Sequence, residues 1–266
     1  MSFGNLIQAW SHLQYEGVRN TLNKKTFGPN NSEAERIANQ LRETGLYVLN
    51  DYYSPEECDK IIADIDKNIE GDEAHTWQDE AKSDTRLYGS HLYSEAIARF
   101  HKDPFLHEIG ERYLQSELIN SHTLGARLIP KDNNLGSGGG WHRDSVFRQQ
   151  YKSIIYLTDV GPDNGPFEFV LGSHKPSTIY SSIKKNGFSA NQNRISNDQV
   201  QSFLAAHPPL KSQIFTAKRG TVILVDTSGI HRGRPITEGT RYALTNYFYP
   251  KHHYSKSQKQ RFEKLF

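Results

Sequence analysis

The chain has 266 residues, 35% of them hydrophobic, with a net charge of +2. That length supports one large domain with a real core, and the near-neutral charge offers no field for nucleic acid or an anionic membrane surface. Cys58 is its single cysteine, which excludes an intramolecular disulfide and suits a reducing compartment. No apolar run approaches the roughly 20 residues of a membrane span, and the N-terminus has no signal-type segment, so a cytoplasmic location is expected.

Ser32-Glu33-Ala34-Glu35 reads as a capping box opening a helix. Ile37, Ala38 and Leu41 form its apolar face, and Gly45 stops it. Leu46 to Leu49 then reads as a strand. Ser54 and Glu57 make a second capping box with Pro55 at the first helical position, and Ile61, Ile62, Ile65 and Ile69 share one face. Cys58 falls beside that face and is expected to be a buried thiol. The segment Asp84 to His91 is dense in hydrogen-bonding side chains, and its Arg86 is a candidate to clamp an anionic substrate against the plainer reading of a surface ion pair. A third helix is predicted over Pro104 to Ser116, so helices should dominate about residues 1–120.

The pattern then changes. Gly136 to Gly140 is a glycine-rich loop without the lysine and following helix of a phosphate cradle. It feeds Trp141-His142-Arg143-Asp144, with Arg148 just beyond as a second substrate-clamp candidate. Ser153 to Thr158 and Phe167 to Leu171 read as strands around a Gly161-Pro162-Asp163-Asn164-Gly165 turn. His174 follows a strand in Gly-Ser-His and is expected to cap a turn. From 175 to 218 the chain is polar and strand-poor, either a lid over a site or a surface insertion. Thr221 to Val225 is a β-branched run suited to a buried strand. In Arg241 to Tyr249, Arg241, Ala243, Thr245 and Tyr247 share one face, while Tyr242, Leu244, Asn246 and Phe248 share the other. The basic stretch from Lys251 to Lys264 reads as a solvated tail helix.

His142 and Asp144 stand two residues apart, so an extended backbone points both side chains the same way. With His231 from a distant segment they form a two-histidine, one-carboxylate set that can occupy one face of an octahedral Fe(II). Arg241 supplies a fixed cationic fork for a carboxylate. Such a combination suits an oxidation driven by a 2-oxo acid. Two other classes share parts of it: a cupin-like isomerase or lyase using the metal without Arg241, and a jelly-roll binding module without catalysis.

The sequence resembles the phytanoyl-CoA dioxygenase-like family of Fe(II)- and 2-oxoglutarate-dependent oxygenases. The resemblance runs from about Ala38 to Tyr249 and rests on four segments: Trp141 to Asp144, Leu157 to Gly165, Leu171 to Lys175, and Gly220 to His231 with Arg241. It implies a mainly β fold, a double-stranded β-helix of the jelly-roll or cupin type over about 121–250, packed on the N-terminal helices in one domain. It also implies Fe(II) held by His142, Asp144 and His231, 2-oxoglutarate anchored by Arg241, O2 as co-substrate, and hydroxylation of a small polar molecule. A carboxylate at 144 argues against halogenation, which leaves that position to a small residue. Gly233 stands where family members often carry serine, and Ile154 where some carry tryptophan.

Overall fold

A computed structural model of the chain describes residues 3–28, 32–71 and 76–254. Helix α1 (Phe3–Leu22) is followed by α2 (Glu33–Thr44), β1 (Leu46–Leu49) and α3 (Pro55–Glu70). Ser32 caps α2 by accepting from the Glu35 N–H, and Gly45 ends it at φ 83°, where a side chain would be strained. The reciprocal half of that capping box is missing because the Glu35 carboxylate is drawn to Arg42 and Arg112, each at 3.3 Å. On α3 both halves form, between Ser54 and Glu57. Cys58 is buried on this helix, and burial raises its thiol pKa to about 11.

The chain continues through β2 (Thr76–Gln78), β3 (Asp84–Leu87), α4 (Glu95–His101), α5 (Pro104–Leu114) and β4 (Leu118–Leu128). Then come β5 (Tyr151–Tyr156), β6 (Phe167–Val170), α6 (Pro176–Asn186), α7 (Asn197–Ala206) and β7 (Ser212–Phe215). Finally β8 (Val222–Asp226), β9 (His231–Gly233) and β10 (Arg241–Pro250) return to the sheets. Seven strands form one antiparallel sheet in the order β1-β8-β5-β10-β4-β3-β2, and β7-β6-β9 form a second. Two such sheets with helices packed outside them make a jelly-roll-like core.

Strand alternation decides what each face holds. Tyr151, Ile155, Val222, Leu224, Leu244 and Phe248 point outward into one cluster with Ile37, Leu41, Ile61 and Ile65 of α2 and α3. Each of those isoleucines and leucines is at most 1% exposed, and such burial stabilises by about 1.5–3 kcal/mol per side chain. Leu46, Tyr156, Phe167, Phe169, Ile223 and Val225 fill the space between the sheets. Arg241, Ala243, Thr245 and Tyr247 line a cavity there, as the alternation of β10 predicts.

One expectation needs correction. Helices hold more of the chain than strands do, so "mainly β" understates the helical layer. Helices dominate residues 1–120 as expected, and besides β1 the strands β2 and β3 extend the large sheet at one edge. The 175–218 stretch is strand-poor as expected, with only β7 in it, and its helices α6 and α7 carry Ile179, Ile183, Val200 and Phe203 into a third apolar cluster with Trp141, Phe188 and Ile230. Of the basic tail, Lys251–His253 forms a short 3-10 turn, and residues 255–266 lie outside the described residues.

Candidate active site

His142 and Asp144 lie in a connecting segment rather than a named strand. This segment is pinned from both sides. His142 and His231 exchange backbone hydrogen bonds of 2.9 and 3.0 Å, while the Arg143 N–H donates to Asn193 and the Ile195 N–H to Trp141. The Asp144 N–H donates to the Thr227 carbonyl at 2.9 Å. These contacts converge the three side chains, whose donor atoms all lie within 4.8 Å of one another. Asp144 Oδ1 is 3.8 Å from His142 Nε2, and Oδ2 is 3.8 Å from His231 Nε2.

Both imidazoles are oriented alike. His142 Nδ1 lies 2.8 Å from the Gly140 carbonyl and His231 Nδ1 lies 2.9 Å from that of Gly229. A carbonyl oxygen can only accept, so each Nδ1 carries the proton and each Nε2 presents a lone pair toward the shared space. Burial and the neighbouring His142 ring push the His231 pKa down to about 3, and burial also lowers that of His142. Both rings are therefore neutral at physiological pH. Gly138 packs so closely over His142 that a Cβ there would run into the ring.

Burial alone would raise the Asp144 pKa, but the Lys152 ammonium and the two imidazoles outweigh it and hold the carboxyl well below its usual range. Lys152 Nζ is 2.6 Å from Asp144 Oδ2 and 3.9 Å from the centre of the Tyr247 ring. A signal for this residue is present in the sequence: Lys152 is the one charged residue of β5 and shares the cavity-lining face with Ile154 and Tyr156.

The surrounding cavity, about 200 Å³, is lined by four cationic side chains, Arg86, Lys152, Arg194 and Arg241, and by one carboxylate, Asp144. Arg241 is 5% exposed, donates to the Gly165 carbonyl, leaves its Nε without a partner and joins no ion pair among the described residues. Burial lowers its pKa, Tyr156 and Asp84 oppose that shift from beyond ion-pair distance, and the guanidinium stands in the cavity wall with no salt bridge among the described residues. Arg86 reaches the cavity but is already held by Asp84 through two bonds of 3.0 and 2.7 Å, with Trp77 stacked at 4.9 Å. Arg148 does not reach it. Its Nε donates to Glu16 on α1 at 3.0 Å, on the molecule's surface. In its place Arg194, from the segment between α6 and α7, enters the cavity beside His142 and donates to the Gly138 and Gly139 carbonyls.

The remaining candidates are also placed. His174 does not line the cavity; its Nε2 donates to the Arg42 carbonyl at 3.2 Å. Trp141 packs in the third cluster under the Arg232 guanidinium. Ile154 lines the cavity. Gly233 faces Ser137, whose Cβ would be 2.9 Å from a side chain at 233. Serine at 233 is thus excluded by close packing, while Ser137 brings a hydroxyl to the same cavity.

The sequence profile of the phytanoyl-CoA dioxygenase (PhyH) family matches residues 41–243, most of the chain. The chain belongs to this family. Among solved structures, the epimerase SnoN in complex with Fe3+, alpha ketoglutarate and nogalamycin RO is similar at 16% identity and TM-score 0.62, over 82% of this chain and 83% of that one. HygX from Streptomyces hygroscopicus with nickel, 2-oxoglutarate and hygromycin B bound is similar at 18% identity and TM-score 0.58, over 81% and 87%. EctD from S. alaskensis in its apoform gives 18% identity and TM-score 0.63, over 86% and 81%. At these identities the likeness is one of fold. Among curated protein sequences no match to this PhyH-family chain was found. No helix of the described residues is long and apolar enough to cross a membrane.

Proposed function

We propose that this PhyH-family protein is an Fe(II)- and 2-oxoglutarate-dependent dioxygenase that hydroxylates a C–H bond of a small polar metabolite or natural-product intermediate. The jelly-roll-like core is read as the double-stranded β-helix of that class. The observation that carries the proposal is the pairing of two environments in one cavity. Two neutral Nε2 atoms and a carboxylate converge at one end, and an unpaired buried guanidinium stands in the same wall.

The donor set fits the metal, since imidazole nitrogen and carboxylate oxygen are the ligands such Fe(II) sites use. His142, Asp144 and His231 would hold it, and Arg241 would take the distal carboxylate of 2-oxoglutarate as a charge-assisted fork. Bound there, Fe(II), 2-oxoglutarate and O2 supply an oxidant for the substrate C–H bond, with one oxygen atom ending in the hydroxyl and one in succinate as CO2 leaves. The chain's own residues set the stage. Gly140 and Gly229 fix both imidazole tautomers, and Lys152 holds the second carboxylate oxygen in place. Leu124, Ile154 and Phe167 give the cavity dry walls.

The charge inventory bears on the substrate. Lys152 is committed to Asp144 and Arg86 to Asp84, and Arg241 is assigned to 2-oxoglutarate. Arg194 alone remains for the substrate, so a substrate with an anionic or carbonyl oxygen group is favoured over an acyl chain. HygX and SnoN, which share the fold, were solved with hygromycin B and nogalamycin RO, and polar natural products of that kind are the first to screen. An isomerase or lyase reading leaves Arg241 without a purpose, and a non-catalytic module leaves both environments without one.

The test is succinate formation by protein reconstituted anaerobically with Fe(II) and 2-oxoglutarate, then exposed to oxygen. Oxygen-dependent succinate that disappears in His142→Ala and His231→Ala is the expected outcome. Turnover at the wild-type rate in either variant overturns the assignment.

A further inference from the structure

Helix α1 is docked by one face and bare on the other. Its inner face packs on α6 through Leu6 and Ala9. Its charged residues are spent there too: Glu16 pairs with Arg148 and His253, each at 3.0 Å, and Arg19 donates to the His252 carbonyl. The opposite face carries Phe3 (78% exposed), Ile7 (49%), Trp10 (57%), Tyr15 (60%), Val18 (59%) and Leu22 (80%). Six of the ten large hydrophobic side chains exposed among the described residues are thus on this one helix. Between them on the same face lie only Gly4, Ser11, Gln14 and Thr21, with no charge. Solvated helix faces carry charge; this one is built to be covered.

The stripe also reads alike from either end. From Phe3 the apolar positions step inward by four residues to Ile7 and three to Trp10; from Leu22 they step inward by four to Val18 and three to Tyr15. We propose that this face is covered by α1 of a second copy of the same chain, packed antiparallel about a twofold axis between His12 and Leu13. Phe3 then meets Leu22 of the second copy, Ile7 meets Val18, and Trp10 meets Tyr15, with Ser11 and Gln14 as a polar pair at the centre. A face that matches itself under reversal is what an isologous interface requires. Its size is sufficient. Six side chains at these exposures present roughly 600–700 Å² per copy, so two copies bury about 1,200–1,400 Å², within the range of specific interfaces.

The experiment uses the full chain and sedimentation equilibrium from low micromolar concentration to about 100 µM, since dimer stability depends on protomer concentration. Wild type should be a dimer. Ile7→Glu and Val18→Lys should each raise the dimer dissociation constant by about 100-fold, because twofold symmetry counts every lost apolar contact twice. The double variant Ile7→Glu/Val18→Lys should recover most of the affinity, since only the reversed register sets each new glutamate opposite a new lysine. Far-UV circular dichroism should be the same for all four, the substituted side chains being exposed. A mixture of Ser11→Cys and Gln14→Cys proteins should cross-link on oxidation faster than either alone. A monomeric wild type, a dimer unaffected by Ile7→Glu, or a double variant no tighter than the singles overturns the proposal. So does a monomeric wild type that sediments with phosphatidylcholine vesicles, which would make a lipid surface the partner.

Discussion

A single residue, Arg241, separates the 2-oxo-acid reading from every other use of this metal set. Its guanidinium is buried without a carboxylate, and losing one partner of such a desolvated pair costs about 2–5 kcal/mol. Arg241→Ala should therefore weaken 2-oxoglutarate binding at least about tenfold, measured by anaerobic calorimetry, with iron affinity nearly unchanged. Equal affinity in wild type and variant would move the anchor elsewhere. Lys152 is the residue to test against Asp144. Lys152→Met leaves a buried carboxylate without its 2.6 Å partner, so the carboxyl pKa should rise and Fe(II) binding should become more acid-sensitive. A pH profile of metal binding identical to wild type would show that Lys152 only fills space. His142, Asp144, His231 and Arg241 were legible in the sequence because each is a polar residue of distinctive chemistry at a fixed spacing. Arg148 is a candidate on spacing alone, and spacing along the chain says nothing about Glu16, which pairs with it from α1. Arg194 was invisible for the converse reason: only tertiary pairing of 193–195 with 141–143 brings it beside His142.

At the level of elements, local signals were reliable where capping or strict alternation set them. Both capping serines, Gly45 as a stop, and the inner face of β10 were all readable. β4 was not, because Asn120, Ser121, His122 and Thr123 are polar, Gly125 interrupts the run, and the register against β10 slips between Tyr247 and Phe248. The complete capping box on α3 gives a stability test: Ser54→Ala should cost about 1 kcal/mol in urea denaturation, and no loss would mean the helix end is held by packing alone. The 175–218 segment needs a finer probe than deletion, which would remove Phe188, Val200 and Phe203 from a buried cluster and unfold the region. Arg194→Ala leaves that cluster intact. It should spare iron and 2-oxoglutarate binding yet lower hydroxylated product per succinate released, as expected if this segment orients substrate and screens the site. Full coupling in the variant would reduce the segment to a scaffold.

Over the whole molecule, buried neutral histidines tie stability to pH. His122 and His231 are 3% and 4% exposed, and burial lowers both pKa values to about 3. An unfolded histidine titrates near 6.5, so between those limits the unfolded chain binds more protons and stability falls as pH falls. Each fully affected group contributes up to about 1.4 kcal/mol per pH unit. Metal-free protein should lose urea resistance steadily from about pH 6 to 4, and His122→Gln should flatten that slope; a flat wild-type profile would contradict it. The backbone pairing of His142 with His231 has a different consequence. Because main-chain hydrogen bonds hold the two rings together, the donors reach a cation already in place, and nothing in their arrangement beyond ligand type favours one cation over another. Uptake then follows intrinsic ligand preference, in which nickel, copper and zinc all outcompete ferrous iron. Protein with a site assembled in advance is correctly loaded only where those competitors are kept scarce, so its activity becomes a readout of the metal supply around it.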